Sequence, residues 1–306
     1  TVYARSGSYD KTLECEKTAL EIMRAVKGEN DLEVAKCWYE LGGAYFNKKD
    51  YDSEIPCLEK ALAIQLNLKE TAPSDIADTY HQLGRAYYGK CVFNKAIIYY
   101  EKALPFRIKV SGENSEDAAS LFTDIAAAYA YNIDNRRAEE WYVKALNARL
   151  KAQGASSPDA ALCYTQLGAF YGIMSRHNEA AQCHEKALAI RIAAFGEKSI
   201  EAAESNAKLG DAYAGLGQHS RAFEYHRRAL ELCIALEGES SSAAAKCYGP
   251  LAFDYLYGLK DNKKALECFQ KGLEILQRIP DAEPADIVGM NHGIGLVYQF
   301  MGDRDR

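Results

Sequence analysis

Apolar residues recur along this chain at helical spacing, and one stretch shows the unit from which the rest is built. When Ala161–Gly172 is numbered so that Tyr164 is position 4, Leu167, Gly168 and Tyr171 stand at positions 7, 8 and 11. At about 100° per residue these positions share an arc of roughly 100°, the width of a core-facing helical stripe. A second amphipathic pattern follows in Arg176–Leu188, with Ala180 and Ala187 on its inner face. Gly168 and these alanines leave room for close backbone approach, so the two helices are expected to pack as an antiparallel hairpin.

The pattern repeats every 42 residues: Leu41, Leu83, Ile125, Leu167, Leu209 and Leu251, with Ile294 following at 43. Position 11 is tyrosine in eight registers: Tyr3, Tyr45, Tyr87, Tyr129, Tyr171, Tyr213, Tyr255 and Tyr298. In the second helices Ala-Leu recurs from Ala19-Leu20 to Ala229-Leu230, with Gly272-Leu273 as a variant. The one-residue drift is expected near the turn Lys260–Lys264. Gly28, Gly112, Gly154, Gly196 and Gly238 read as helix C-caps with φ > 0, and Asp31, Ser115, Ser157, Ser199 and Ser241 as the N-caps that follow. Ala72-Pro73 breaks that rule, so its connection should differ. Pro56, Pro105 and Pro250 fall inside predicted helices, where each removes a hydrogen bond and predicts a kink.

The spacing of Trp38/Tyr80/Tyr164/Tyr248, Leu-Gly, Tyr and Ala-x3-aromatic-x2-Ala resembles the tetratricopeptide repeat. Its period is similar to the longer form found in kinesin light chains. The resemblance implies an all-α, right-handed superhelical solenoid of antiparallel helix pairs. One array is expected over 1-306, with a partial repeat 1-34, repeats 35-76, 77-118, 119-160, 161-202, 203-244 and 245-287, and a partial repeat 288-306.

Composition excludes several classes. The chain is 48% hydrophobic with a net charge of −6, so it can bury a core and is not a disordered acidic tail. With 37 basic against 43 acidic residues it lacks the basic footprint of a nucleic-acid binder. No apolar run is long enough to span a membrane, and the chain reads as soluble and cytoplasmic. Of the nine cysteines, Cys15, Cys57, Cys183 and Cys268 share position 23, and Cys37, Cys163 and Cys247 share position 3. That periodicity points to packing slots rather than disulfides or metal. No phosphate loop, nucleophile elbow or metalloprotease motif is present, so neither catalysis nor a cofactor is expected.

By the resemblance, positions 2, 5, 6, 9, 12 and 13 of each first helix line a concave groove that binds a peptide or helical segment of a protein partner. They place Tyr39, Glu40 and Phe46 in one repeat and His81, Gln82, Arg85 and Tyr88 in the next. Thr123, Asp124 and Tyr131 follow, then Thr165 and Gln166, Lys208 and Asp211, and Phe253. A helix face turned only to solvent has no need of Phe46, Tyr88, Tyr131 and Phe253. Small residues at Ala127, Ala169 and Gly172 would seat the segment over the middle repeats. The lysine and asparagine that chaperone-adaptor relatives use to clamp a carboxylate are absent, as is the Asn-Asn pair typical of kinesin light chains. The alternative role is a regulatory sensor array within a larger signalling protein.

His177/His184 and His219/His226 occupy positions 17 and 24, where other repeats carry aromatic or leucine side chains. Packing, a pH-sensitive ladder between second helices and a zinc site with Cys183 are the readings open to them. The ladder predicts that stability falls as pH drops. The first and last helices each lack a partner. An excerpt of a longer array, with possible head-to-tail stacking through the Ile294, Gly295 and Tyr298 face, is therefore expected.

Overall fold

The computed structural model describes residues 9–280 and 282–302, so Tyr3 and the end of the Met301–Arg306 turn lie outside the described residues. Among the described residues the chain forms fourteen α-helices and no strand. The first seven are α1 (Tyr9–Lys27), α2 (Leu32–Asn47), α3 (Tyr51–Asn67), α4 (Pro73–Gly89), α5 (Phe93–Ser111), α6 (Glu116–Tyr131) and α7 (Asn135–Gln153). The others are α8 (Pro158–Ile173), α9 (His177–Phe195), α10 (Ile200–Gly215), α11 (His219–Glu237), α12 (Ser242–Phe253), α13 (Asn262–Arg278) and α14 (Pro284–Met301). They fall into two compact units, Thr1–Ala152 and Gln153–Arg306. Within each unit, every helix packs against its neighbours in sequence, as stacked hairpins require. Repeat by repeat, α2/α3, α4/α5 and α6/α7 in the first unit and α8/α9, α10/α11 and α12/α13 in the second are the expected pairs.

The predicted stripe is the core. Leu41, Leu83, Ile125, Leu167, Leu209 and Leu251 are all buried. Close approach at position 8 is literal: a Cβ on Gly84 would lie 2.3 Å from the ring of Tyr100, itself 2% exposed. Two of the position-11 tyrosines use both ring and hydroxyl. Tyr129 and Tyr213 donate to the carboxylates of Glu101 and Glu185 on the preceding repeat's second helix, at 2.7 and 2.6 Å. Arg137 and Arg221, in the tyrosines' own repeats, lie over the same rings at 5.4 and 5.3 Å, so each tyrosine ties two repeats through its hydroxyl and holds its own repeat's second helix through a cation–π contact. Phenylalanine would keep only the second.

The turns follow the expected grammar. Asp31, Ser115, Ser157, Ser199 and Ser241 each accept an N-terminal backbone N–H, and Ala72 offers no side-chain cap. Gly112, Gly196 and Gly238 adopt φ of 86°, 87° and 93° with ψ near 160°, a region that is essentially glycine's alone. The drift in the seventh repeat lies earlier than Lys260–Lys264. Lys49, Cys91, Ile133, Ser175 and Gly217 repeat a positive-φ turn residue every 42, and Lys260 is already one residue late. The extra residue is taken up upstream, in a π-turn at Asp254–Gly258, where Leu259 N–H donates to the carbonyl of Asp254. A π-turn adds one residue per turn to a helix. It begins four residues after Pro250, whose missing N–H has already opened the ladder. By contrast α3 and α5 continue as helix through Pro56 and Pro105.

Ile133 is a strained member of the turn series: a β-branched residue at φ 62°, 83% exposed, with little packing to offset the cost. A left-handed L-residue costs roughly 1–2 kcal/mol, and glycine's extra unfolded-state entropy returns part of that. We expect Ile133→Gly to stabilise the fold by about 1 kcal/mol in urea denaturation. An unchanged or lower midpoint would show the turn to be unstrained.

Candidate partner-docking surface

In the first unit, the first helices bring together Tyr39, Glu40, Phe46, Gln82, Arg85, Tyr88 and Asp124. A cavity of about 420 Å³ is lined by Tyr39, Glu40, Phe46, Gln82 and Arg85, and a neighbouring one of about 290 Å³ by Phe46, Arg85, Tyr88 and Asp124. Phe46 and Arg85 belong to both, and the guanidinium sits 4.5 Å above the Phe46 ring. Arg85 Nη1 also donates to Gln82 Oε1 at 3.4 Å, and Gln82 Nε2 donates to Glu54 Oε1 at 3.1 Å. His81 Nε2 stands 2.6 Å from Asp124 Oδ2, linking α4 to α6. Tyr131 is exposed and stacks on Phe93 at 5.2 Å, with Tyr88 edge-on to both rings. Burial pushes the Tyr39 and Tyr88 phenols up, so both remain neutral donors.

Other expected site residues are placed differently. Thr123 and Thr165 each donate to a backbone carbonyl one turn earlier, at 3.0 and 2.9 Å, so their hydroxyls are engaged within their own helices. Gln166 is half-buried on α8. In the second unit, Lys208 and Asp211 form an exposed pair at 3.9 Å. Asp211 and Phe253 line a cavity of about 530 Å³ with His226, Pro250 and Met290.

The histidine ladder between second helices is not formed. Position-24 histidines pack beneath the position-8 glycines of their own repeat: Cβ atoms on Gly168 and Gly210 would lie 2.7 and 2.3 Å from the His184 and His226 rings. Position-17 histidines meet the next repeat's first helix, His177 at Gly215 and His219 at Gly258. The two buried rings also diverge electrostatically. Burial, with Lys208 nearby, pushes His184 down to about 4. Burial acts the same way on His226, but hydrogen bonds from its ring to Asp211 and Asp254 outweigh it and raise the group to about 9. The expected loss of stability in acid therefore holds for His184 and reverses for His226. Among the described residues no group of three His, Cys, Asp or Glu side chains could hold a metal. Among the described residues the cysteines form no disulfide; Cys57, Cys163, Cys183 and Cys233 are buried, whereas Cys15 is exposed and departs from the packing slot expected for position 23.

Three of the buried polar residues that the sequence does not announce depart from their repeat position. Glu54, 0% exposed, stands at position 20, where Ala96, Ala138, Ala180, Ala222 and Ala265 stand in the later repeats. Asp254 stands at position 10, which is alanine in the other full repeats except for Phe170, and Gln65 at position 31, which is arginine in the next three repeats and Cys233 in the one after. Each breaks a column of the repeat, and that break was the available signal.

The tetratricopeptide repeat pattern matches residues 1–67, 75–151, 158–235 and 201–278. The chain belongs to the tetratricopeptide repeat family, with a 42-residue period. No curated protein matches it by sequence. Among solved structures it is similar to BtubC (BKLC) from P. vanneervenii, at 22% identity and a TM-score of 0.65 over 76% of this chain and 93% of that one. It is also similar to a kinesin light chain-like protein of nearly identical repeats from Podosopora anserina, at 19% identity and a TM-score of 0.60, covering 68% of this chain and 98% of that one. The third is a signal transduction ATPase with a tetratricopeptide repeat sensor from Pyrococcus horikoshii: 18% identity, TM-score 0.67, 94% of this chain but 41% of that one. At these identities the likeness is one of fold. Proteins of this fold are typically non-catalytic interaction scaffolds, and no helix among the described residues is long and apolar enough to cross a membrane.

Proposed function

We propose that the chain is a protein-interaction scaffold that docks an extended or helical segment of a partner on the first helices α2, α4 and α6. The observation that carries this reading is the pair of adjoining cavities sharing Phe46 and Arg85, an aromatic and a cation left partly open where a partner would cover them. Such anchors gain most from being desolvated on binding. The test uses segments selected from a displayed random-peptide library against the full chain. Arg85→Glu reverses a charge on an exposed side chain, so it should weaken these segments by more than about tenfold, roughly 1.4 kcal/mol, with helicity unchanged. Equal affinity for both proteins by calorimetry would remove the placement. A sensor role within a larger chain is the second reading, supported by the likeness to the Pyrococcus horikoshii sensor array, which lies within a much longer protein.

A further inference from the structure

Position 31 of the second helix is arginine in three successive repeats, Arg107, Arg149 and Arg191. Each guanidinium is turned onto first-helix polar groups. Arg107 pairs with Asp78 and lies 3.9 Å from Asp117, and Arg149 donates to Ser120 Oγ at 3.2 Å. Arg191 donates to Ser205 Oγ at 2.8 Å and to the Glu201 carbonyl at 3.3 Å, with the Glu204 carboxylate 3.7 Å away. In the repeat before them this position is Gln65. That side chain is 5% exposed, and its Oε1 has no hydrogen-bond partner.

Gln65 lines a cavity of about 390 Å³ together with Glu33, Glu40, Asp75, Asp78 and Thr79. Asp75, Asp78 and Thr79 follow Gln65 at the same spacing at which Glu201, Glu204 and Ser205 follow Arg191. The carboxylate and hydroxyl that Arg191 meets are thus kept as Asp78 and Thr79, the carbonyl it meets corresponds to that of Asp75, which Thr79 Oγ1 already takes at 2.9 Å, and the guanidinium of this position is missing. Lys36 also lines the cavity and Arg107 takes one oxygen of Asp78, so four carboxylates face two cations. A buried acceptor left without a donor costs about 1–3 kcal/mol, which a ligand's N–H would recover. The acceptors are spread over two helices and a carboxamide, an arrangement suited to the planar fork of a guanidinium rather than to a compact ammonium. We propose that this cavity binds the guanidinium of an arginine side chain on the partner segment, an inference resting on the docking reading above.

The probe is N-acetyl-arginine amide, titrated into the full chain and followed by NMR, with N-acetyl-citrulline amide as its neutral counterpart. Saturable shifts at Gln65 and Thr79, at least tenfold weaker for citrulline, are expected. Gln65→Arg supplies the group internally, as Arg107, Arg149 and Arg191 do, and should abolish binding. Asp75→Asn, at an exposed rim position, should weaken it several-fold without touching the core. Equal binding of the two probes, no saturation, or full arginine binding by Gln65→Arg would each overturn the site. Phe46 and Arg85 do not line this cavity. Library segments that bind Gln65→Arg normally but are lost in Arg85→Glu would therefore leave the docking reading standing while the guanidinium site fell.

Discussion

Asp254→Ala should destabilise the second unit by about 3 kcal/mol at pH 6, and by much less at pH 9.5. His226 is 3% exposed and Asp254 2%, with Nδ1 and Oδ2 2.6 Å apart. Burial opposes the imidazolium, yet the two aspartates hold the ring's proton up to about 9. A folded-state value above the unfolded one, near 6.5, gives a contribution fully present below about pH 6.5 and lost as pH rises through about 9. The shift, to which Asp211 and Asp254 both contribute, corresponds to roughly 3 kcal/mol in all, and removing one partner of a buried pair carries a cost of the same order. Denaturation midpoints at the two pH values check this; equal losses would mean that the pair does not titrate with folding. Replacing both partners by the residues other repeats use, His226→Leu with Asp254→Ala, should recover most of the loss, because apolar neighbours can replace a buried pair at little cost.

Glu54→Gln should act in the opposite direction, stabilising the first unit by about 3 kcal/mol at pH 8 and scarcely at pH 4. Glu54 is completely buried; Gln82 satisfies one oxygen and the other has no partner. Burial raises its carboxyl to about 7, against the smaller lowering effects of Gln82 and Arg85. The folded state therefore keeps a proton that the unfolded chain releases above about 4.5, so stability is lost as pH climbs from there through about 7. Glutamine fills the same volume without the charge and still accepts from Gln82. A wild-type midpoint that stays flat between pH 4 and pH 8 would show that Glu54 is ionised and solvated when folded. Glu54 also supports Gln82 and, through it, Arg85. If that support matters, the acid form and the glutamine variant should bind library segments alike.

The sequence by itself determined the helices, their pairing and their caps, because these depend on near neighbours. A 42-residue period fixes which side chains share a stripe, and Gly112 or Ser115 acts through its own backbone or a hydroxyl three residues from its target. First-helix surface positions were legible for the same reason: a face is a matter of angle along one helix. Tertiary structure alone decided what occupies each buried slot and which charges survive there. His184 and His226 hold the same repeat position beneath a glycine, yet one is driven neutral and the other charged, because Asp254 arrives from the next repeat's π-turn, 28 residues away. The π-turn, in turn, moved the one-residue drift upstream of where the turn sequence suggested. The same holds for Gln65 and Glu54: the sequence shows each as an exception in a column, but whether a buried carboxamide or carboxylate has a partner depends on atoms brought in by other helices. Local propensity fixes the element; desolvation and partner geometry, which exist only after packing, fix the chemistry.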